Sequence, residues 1–481
     1  MVGVLYALSP IILIFGLVML VPLGVSWGYQ DAALYAYDEA ALITLGAGGL
    51  LWVLTRAGRR DLKTHDGFLI VVLTWTALPA FATLPLMFYL DTSFTDAYFE
   101  TVSGMTTTGA TVYSGLDALP PSINLWRHLL NWIGGMGIIV LAVAILPLLG
   151  VGGRAMFKAE TPGPMKDSKL TPRIAQTAKA LWLVYAGLTA ACVISLRVAG
   201  MSWFDAVCHA FAAMALGGFS THDASVGFFN SVPIEVTLSV FQVIAAGNFA
   251  TYFLVLHGRS LASLRADIEM KSMFALLLTS ILGVSVFLWW QGTYPDFLTA
   301  LRYASFNLIT IATDCGFAST DFGQWPIFAP MWMLFLSSIL ACSGSTGGGV
   351  KMIRTLILAK QASRELSRLL HPNALMPVKL GGAVIENKVV FAVLAFIFLY
   401  FMTVAGLSFL LLLSGLDFIS AFSAVIACIN NAGPGLGVVG PANNYGALTD
   451  FQTWVCTVAM LAGRLEVFTL LVVLTPAFWR R

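Results

Sequence analysis

Four short glycine-containing segments carry the residue types best suited to hold a bare cation. They are Thr106-Thr107-Thr108-Gly109, Leu216-Gly217-Gly218-Phe219, Thr313-Asp314-Cys315-Gly316-Phe317 and Asn430-Asn431-Ala432-Gly433-Pro434-Gly435. Glycine permits backbone angles that turn carbonyl oxygens toward a shared axis. Rings of such oxygens can replace the hydration shell of a dehydrated monovalent cation. Gly109, Gly218, Gly316 and Gly433 are 109, 98 and 117 residues apart, so one unit recurs four times. The candidate ligand set is Thr107, Thr108 and Gly109, then Leu216, Gly217 and Gly218, then Thr313, Asp314, Cys315 and Gly316, then Asn430, Asn431, Ala432 and Gly433. Two bland roles compete with it: the threonines can bond back to the preceding turn, and the two asparagines can brace their loop from behind.

Two further features look like control elements. Ser343-Gly344-Ser345-Thr346-Gly347-Gly348-Gly349 interrupts an otherwise apolar stretch, followed at once by Lys351. Such a run breaks a helix, and its Gly344, Gly347, Gly348 and Gly349 leave backbone free to move as a gate, with Lys351 adding positive charge to the closed state. The competing reading is a plain hinge whose lysine marks the membrane surface. Arg464 lies midway along the last apolar stretch, where an ionised residue is costly and faces a cavity or a partner. Glu466 is two residues on and therefore not on the same helical face, so a bridge to another helix is the structural alternative.

The elements that position these residues follow from composition. The 481 residues are 58% hydrophobic and 10% charged, with a mean hydropathy of +0.85, whereas a soluble domain carries roughly a quarter charged residues. About 20 apolar residues cross a bilayer core, and such runs recur at 4–26, 38–55, 67–90, 125–149, 178–200, 234–257, 272–291, 327–360, 386–415 and 451–475. Twenty-two of the 26 basic residues cluster in alternate loops: Arg56, Arg59, Arg60 and Lys63; Arg154, Lys158, Lys166, Lys169, Arg173 and Lys179; Arg259, Arg265 and Lys271; Lys351 to Lys388; Arg480 and Arg481. The positive-inside rule puts those loops and both termini in the cytoplasm, which ten crossings satisfy. A net charge of +2 points to no nucleic-acid partner; the partner implied by composition is the lipid bilayer. Cys192, Cys208, Cys315, Cys342, Cys428 and Cys456 form neither a disulfide framework nor a metal pattern.

The four segments 91–124, 201–233, 292–326 and 416–450 lie on the other side and hold one basic residue, Arg302. Each begins with an aspartate (Asp96, Asp205, Asp296, Asp417) that reads as a helix N-cap. Each continues with 12–16 partly apolar residues, too few to span. The predicted fold class is an all-α integral membrane protein, with two leading helices at 1–66 and four helix–pore-loop–helix repeats around a central pore. The repeats fall at 67–150, 178–258, 272–365 (its second helix broken) and 386–481. Half-helix C-termini aimed at the membrane middle place negative dipole ends there, which favours a cation. A secondary transporter would instead predict two inverted halves, and an enzyme would need a nucleophile–base pair or a metal set that this sequence lacks.

At this level of detail the chain resembles the membrane subunit of the Trk-type potassium uptake systems of bacteria, within the Trk/Ktr/HKT superfamily. The resemblance covers essentially the whole chain. It rests on Thr106-Thr107-Thr108-Gly109-Ala110-Thr111, Gly217-Gly218-Phe219-Ser220-Thr221-His222-Asp223, Cys342 to Gly349, Asn430 to Gly437, and Gly463-Arg464-Leu465-Glu466. It implies K⁺ as the transported ion, no bound organic cofactor, one filter glycine per repeat, and Arg464 protruding below the filter as a barrier to cations. It also implies a homodimer in the bacterial inner membrane and a cytoplasmic nucleotide-binding regulatory subunit of the Trk-A type. Channel and ion-coupled symporter stay open. One residue departs from the family pattern: Asp314 stands where a threonine-rich run is usual. Its carboxylate either adds a cation ligand or points behind the filter and accepts hydrogen bonds.

Overall fold

The computed structural model describes residues 2–58, 63–140, 174–258, 260–374 and 376–480. Arg59, Arg60, Arg154, Lys158, Lys166, Lys169, Arg173, Arg259 and Arg481, and the last part of the predicted crossing 125–149, lie outside them. The described chain is helical apart from one small antiparallel ladder, Lys379–Leu380 with Ala383–Val384. Six of its helices are long and apolar enough to span a bilayer, or eight when two bent pairs are each taken as one span. They are rich in exposed Leu, Phe, Val and Trp, for example Leu183, Val198, Phe391 and Leu413, as a lipid-facing surface requires.

Four short helices sit among the long ones: Phe94–Met105, Trp203–Ala215, Phe297–Ala312 and Phe418–Ile429. At about 1.5 Å per residue none crosses a membrane. Each packs against a long helix before it and another helix after it, as with Thr64–Leu90 and Pro121–Val140 around the first. Side-chain oxygens cap all four starts. Asp296 and Asp417 are N-caps as the sequence predicts, accepting from Thr299 N–H at 2.9 Å and Ser420 N–H at 3.0 Å. In the other two helices the cap is one turn earlier: Ser93 and Ser202 accept from the N–H groups of Asp96 and Asp205 at 3.1 and 3.0 Å. A serine three residues ahead of the acid takes the capping position, and the carboxylate bonds back to the serine hydroxyl.

The helices that follow the short ones are where continuous apolar runs mislead. The run 234–257 is two helices, Val232–Ala246 and Phe249–Leu256, bent by 93°. The run 451–475 breaks by 112° between Asp450–Arg464 and Phe468–Leu474. In the third repeat, Phe328–Ile339 stops at the predicted glycine-rich interruption and the chain restarts as Met352–Leu370. Among the described residues, the second, third and fourth repeats therefore bend or break their second helix. All six cysteines are buried free thiols.

Candidate ion pore and gate

The four short helices end in one geometry. The N–H groups of Thr108, Gly217, Cys315 and Ala432 each reach back 2.8 Å to the carbonyls of Ser103, Ala212, Thr310 and Ala427. The residue before each of these is left-handed: Thr107 (φ 58°), Leu216 (55°), Asp314 (67°) and Asn431 (58°). A second left-handed residue follows two positions on, at Gly109 (77°), Gly218 (64°), Gly316 (94°) and Gly433 (84°). Side chains rarely adopt such angles, so a fourfold match in both positions is a structural repeat.

The four loops then close on one another. A Cβ placed on Gly109 would strike the carbonyl of Gly217, one on Gly218 that of Cys315, one on Gly316 that of Ala432, and one on Gly433 that of Thr108. The cyclic order is complete, first loop to second, to third, to fourth and back to the first. All four glycines line a single half-open cavity of about 80 Å³ on the side from which the short helices enter. Glycine is needed twice over at each position, for its angle and for the neighbouring backbone.

Side chains brace the ring from behind. Arg127 and Glu100, both buried, pair at 2.8 Å. Glu100 also accepts from Thr111 Oγ1 and Val112 N–H at 3.0 Å, while Arg127 donates to Ser220 O at 3.2 Å and lies over the Phe219 ring at 4.3 Å. This one pair therefore fixes the exits of the first and second loops. His128 bonds Phe219 O, and His209 bonds Ser220 Oγ. Asn430 is held by Tyr400 at 2.6 Å and by Ser337 and Ser338, and Asn431 donates to Thr108 Oγ1 at 2.9 Å. Both asparagine side chains are thus engaged with neighbouring side chains. Thr106 bonds back to Val102 O at 2.7 Å. At the mouth, partial burial works against the Asp117 carboxylate, but bonds from His222 and from Asp223 N–H outweigh it and hold its pKa below the ordinary value.

The interrupted segment packs directly against the inner side of the ring. A Cβ on Gly348 would strike Asn430 O, and one on Gly347 would crowd Asp314 Oδ2 and Thr313 O. Cys342 N–H bonds Ala246 O at 2.9 Å, and Thr346 Oγ1 reaches Met214 O at 3.2 Å. Lys351, itself left-handed (φ 76°), curls back so that its ammonium contacts Gly347 O and lies 3.4 Å from Ser345 Oγ. Segment 343–349 thereby touches the second, third and fourth repeats. Arg464 supplies the first: its guanidinium donates to Thr346 O at 2.9 Å and to Gly134 O at 2.7 Å, with Trp75 5.5 Å away. Arg464 is 1% exposed, and among the described residues it has carbonyl acceptors but no carboxylate partner. The salt bridge considered for Arg464 is instead made by Glu466, with Arg354, at 2.7 Å.

Glu269 is a residue that sequence reasoning passes over. It is fully buried in the first turn of Ile268–Trp290, and one carboxylate oxygen accepts from Ser343 N–H, Ser343 Oγ and Ile353 N–H at 3.1, 3.1 and 3.0 Å. It ties together the two feet of the interrupted segment. Its sequence position, beside the basic cluster at Arg265 and Lys271, reads as a membrane-surface acid.

Comparison with known proteins places this architecture. Residues 37–480 match the model of the TrkH family, described as a cation transport protein. The chain is 45% identical to the Trk system potassium uptake protein TrkH of Salmonella typhimurium, over 98% of this chain and 97% of that one. It is 39% identical to the Trk system potassium uptake protein TrkG of Escherichia coli, over 97% and 96%. The crystal structure of the potassium transporter TrkH from Vibrio parahaemolyticus superposes with a TM-score of 0.92 at 43% identity, covering 100% of this chain and 99% of that one. The chain belongs to the TrkH family of cation transport proteins.

Proposed function

We propose that this chain carries K⁺ across the bacterial inner membrane through the ring of four loops. Backbone oxygens of Thr107 to Gly109, Leu216 to Gly218, Thr313 to Gly316 and Asn430 to Gly433 serve as ion ligands. Segment 343–349, Lys351 and Arg464 close the path beneath them. The observation that carries this reading is the closed cycle of glycine-to-carbonyl contacts, Gly109 to Gly217, Gly218 to Cys315, Gly316 to Ala432 and Gly433 to Thr108. A cyclic set of backbone carbonyls at the C-terminal ends of four half-helices favours a dehydrated cation. The choice of potassium rests on the relatives, whose names are those of potassium uptake proteins.

A homodimer with one pore per protomer, cytoplasmic termini and a nucleotide-binding regulatory subunit of the Trk-A type complete the reading. Their support is the family membership, the name "Trk system" and the basic clusters in alternate loops. The test is ⁸⁶Rb⁺ and ²²Na⁺ uptake by liposomes holding the purified protein. Uptake of Rb⁺ that K⁺ competes away and Na⁺ does not is expected. Equal uptake of both ions would remove potassium selectivity and point to Asp314 as the cause.

A further inference from the structure

Asp314 occupies the position held by Thr107, Leu216 and Asn431 in the other loops, and all four share the left-handed backbone. Its side chain is completely buried, and the backbone group that bears on its carboxylate is the N–H of Gly348, in the interrupted segment itself. The side-chain oxygen of Asn431, the equivalent residue of the fourth loop, is also buried, and has no hydrogen-bond partner among the described residues. Burying a carboxylate in a dry interior is very costly unless a counter-charge accompanies it. The counter-charge acting on Asp314 is the Lys351 ammonium, and the two meet across Gly347. There a Cβ would come within 3.2 Å of Asp314 Oδ2, while the lysine contacts the carbonyl of the same glycine. One charge belongs to the filter and the other to the segment that closes it.

We propose that Asp314 is a cation-exchange site coupling the filter to its gate. With no ion at the inner end of the ring, the carboxylate takes Lys351 as its counter-charge and holds segment 343–349 across the pore. A dehydrated monovalent cation arriving there replaces the tethered ammonium, which has the same charge and a similar size. The exchange leaves the buried carboxylate neutralised throughout, so neither state carries an isolated buried charge. Lys351 then withdraws, and the turn it holds at Gly347 is released. This mechanism rests on the filter reading above and adds to it a role for the one residue that departs from the family pattern.

The test is amide hydrogen exchange of the 343–351 peptide in the liposome-reconstituted full chain, in K⁺ and in N-methylglucamine, with Rb⁺ uptake measured on the same vesicles. In the wild type, K⁺ is expected to speed exchange of this peptide at least threefold. In Asp314→Asn the exchange is expected to be fast in both media, and Lys351→Gln should behave the same way. The double variant should add nothing to either single one. Asp314→Thr gives a second neutral variant should Asp314→Asn fail to insert as a monodisperse protein. Slow, still K⁺-dependent exchange in the neutral variants overturns the proposal, as does a wild type whose peptide ignores K⁺ while its Rb⁺ uptake remains K⁺-competed. The latter result leaves the filter reading standing, whereas wild-type uptake without K⁺ competition would fail the filter reading itself.

Discussion

Glu269 accepts the backbone N–H of Ser343 at 3.1 Å and, through the same oxygen, that of Ile353 at 3.0 Å. A single buried carboxylate on the first turn of one long helix thus gathers both ends of a segment that packs against the ring of four loops. Both feet are thus tied to one helix start, and under the proposed gating the segment is expected to move as a hinged flap rather than a slack tether.

Removing the acceptor should loosen the flap before it unfolds the protein. A hydrogen bond contributes about 0.5–1.5 kcal/mol, more when its acceptor is charged, and Glu269 accepts three. Glu269→Ala is expected to raise basal Rb⁺ uptake severalfold and to lower the melting temperature by several degrees. Glu269→Gln, which keeps one acceptor oxygen, should fall between it and the wild type. Uptake at or below wild-type level in stable Glu269→Ala would mean the flap does not depend on this anchor.

Much of this arrangement is legible in the sequence because glycine at a fixed place after a short amphipathic helix leaves little alternative. Gly109, Gly218, Gly316 and Gly433 could be read directly, and Arg464 stood out by its cost at membrane depth. Glu269 could not be read that way, since its partners at Ser343 and Ile353 lie 74 and 84 residues away. The same holds for Glu100 and Arg127, which lie 27 residues apart and meet only once the first repeat folds. The bends after Ala246 and Arg464 were hidden for another reason. Hydropathy counts apolar residues and is blind to a change of backbone direction among them, as at Gly247-Asn248 and Glu466-Val467.

The glycine ring makes a sharp prediction about selectivity. Gly109→Ser and Gly316→Ser each force a side chain onto the carbonyl of the next loop from a left-handed backbone. Displacing one carbonyl of a ring should disturb ion discrimination more than folding. Both variants are expected to insert normally and to lose at least tenfold in Rb⁺ over Na⁺ uptake ratio, or to lose flux. Wild-type selectivity in both would remove the ring from the ion path.

Arg464 should act as a charge barrier. For two like unit charges about 8 Å apart at an effective dielectric constant near 20, the repulsion is about 2 kcal/mol, roughly 30-fold in local occupancy. The bonds of Arg464 to Thr346 and Gly134 also hold the flap to the first repeat. Arg464→Ala therefore removes both a charge and a strut, and uptake should rise by tenfold or more in the protein alone. Arg464→Lys, which keeps the charge and loses the fork, separates the two effects by falling in between. Unchanged or lower uptake in well-inserted Arg464→Ala would defeat the barrier role.

The hinge beside that arginine stores strain of a specific kind. Val467 has φ 52° and ψ −52°, and Phe468 N–H bonds Glu466 O across it, which is a γ-turn of the rare, strained hand. A β-branched residue is especially ill suited to positive φ, at about 1–3 kcal/mol. Arg354, three residues beyond Lys351, pairs with Glu466 at 2.7 Å and lies over Phe396 at 4.1 Å, so the helix leaving the flap clamps this turn. If the strain favours straightening, Val467→Gly should relieve it, stabilise the bent last helix and lower uptake, with a higher melting temperature. Glu466→Gln should weaken the clamp and do the reverse. Uptake and melting temperature unmoved by Val467→Gly would mean that the turn is a passive bend, and the clamp from Arg354 a packing contact only.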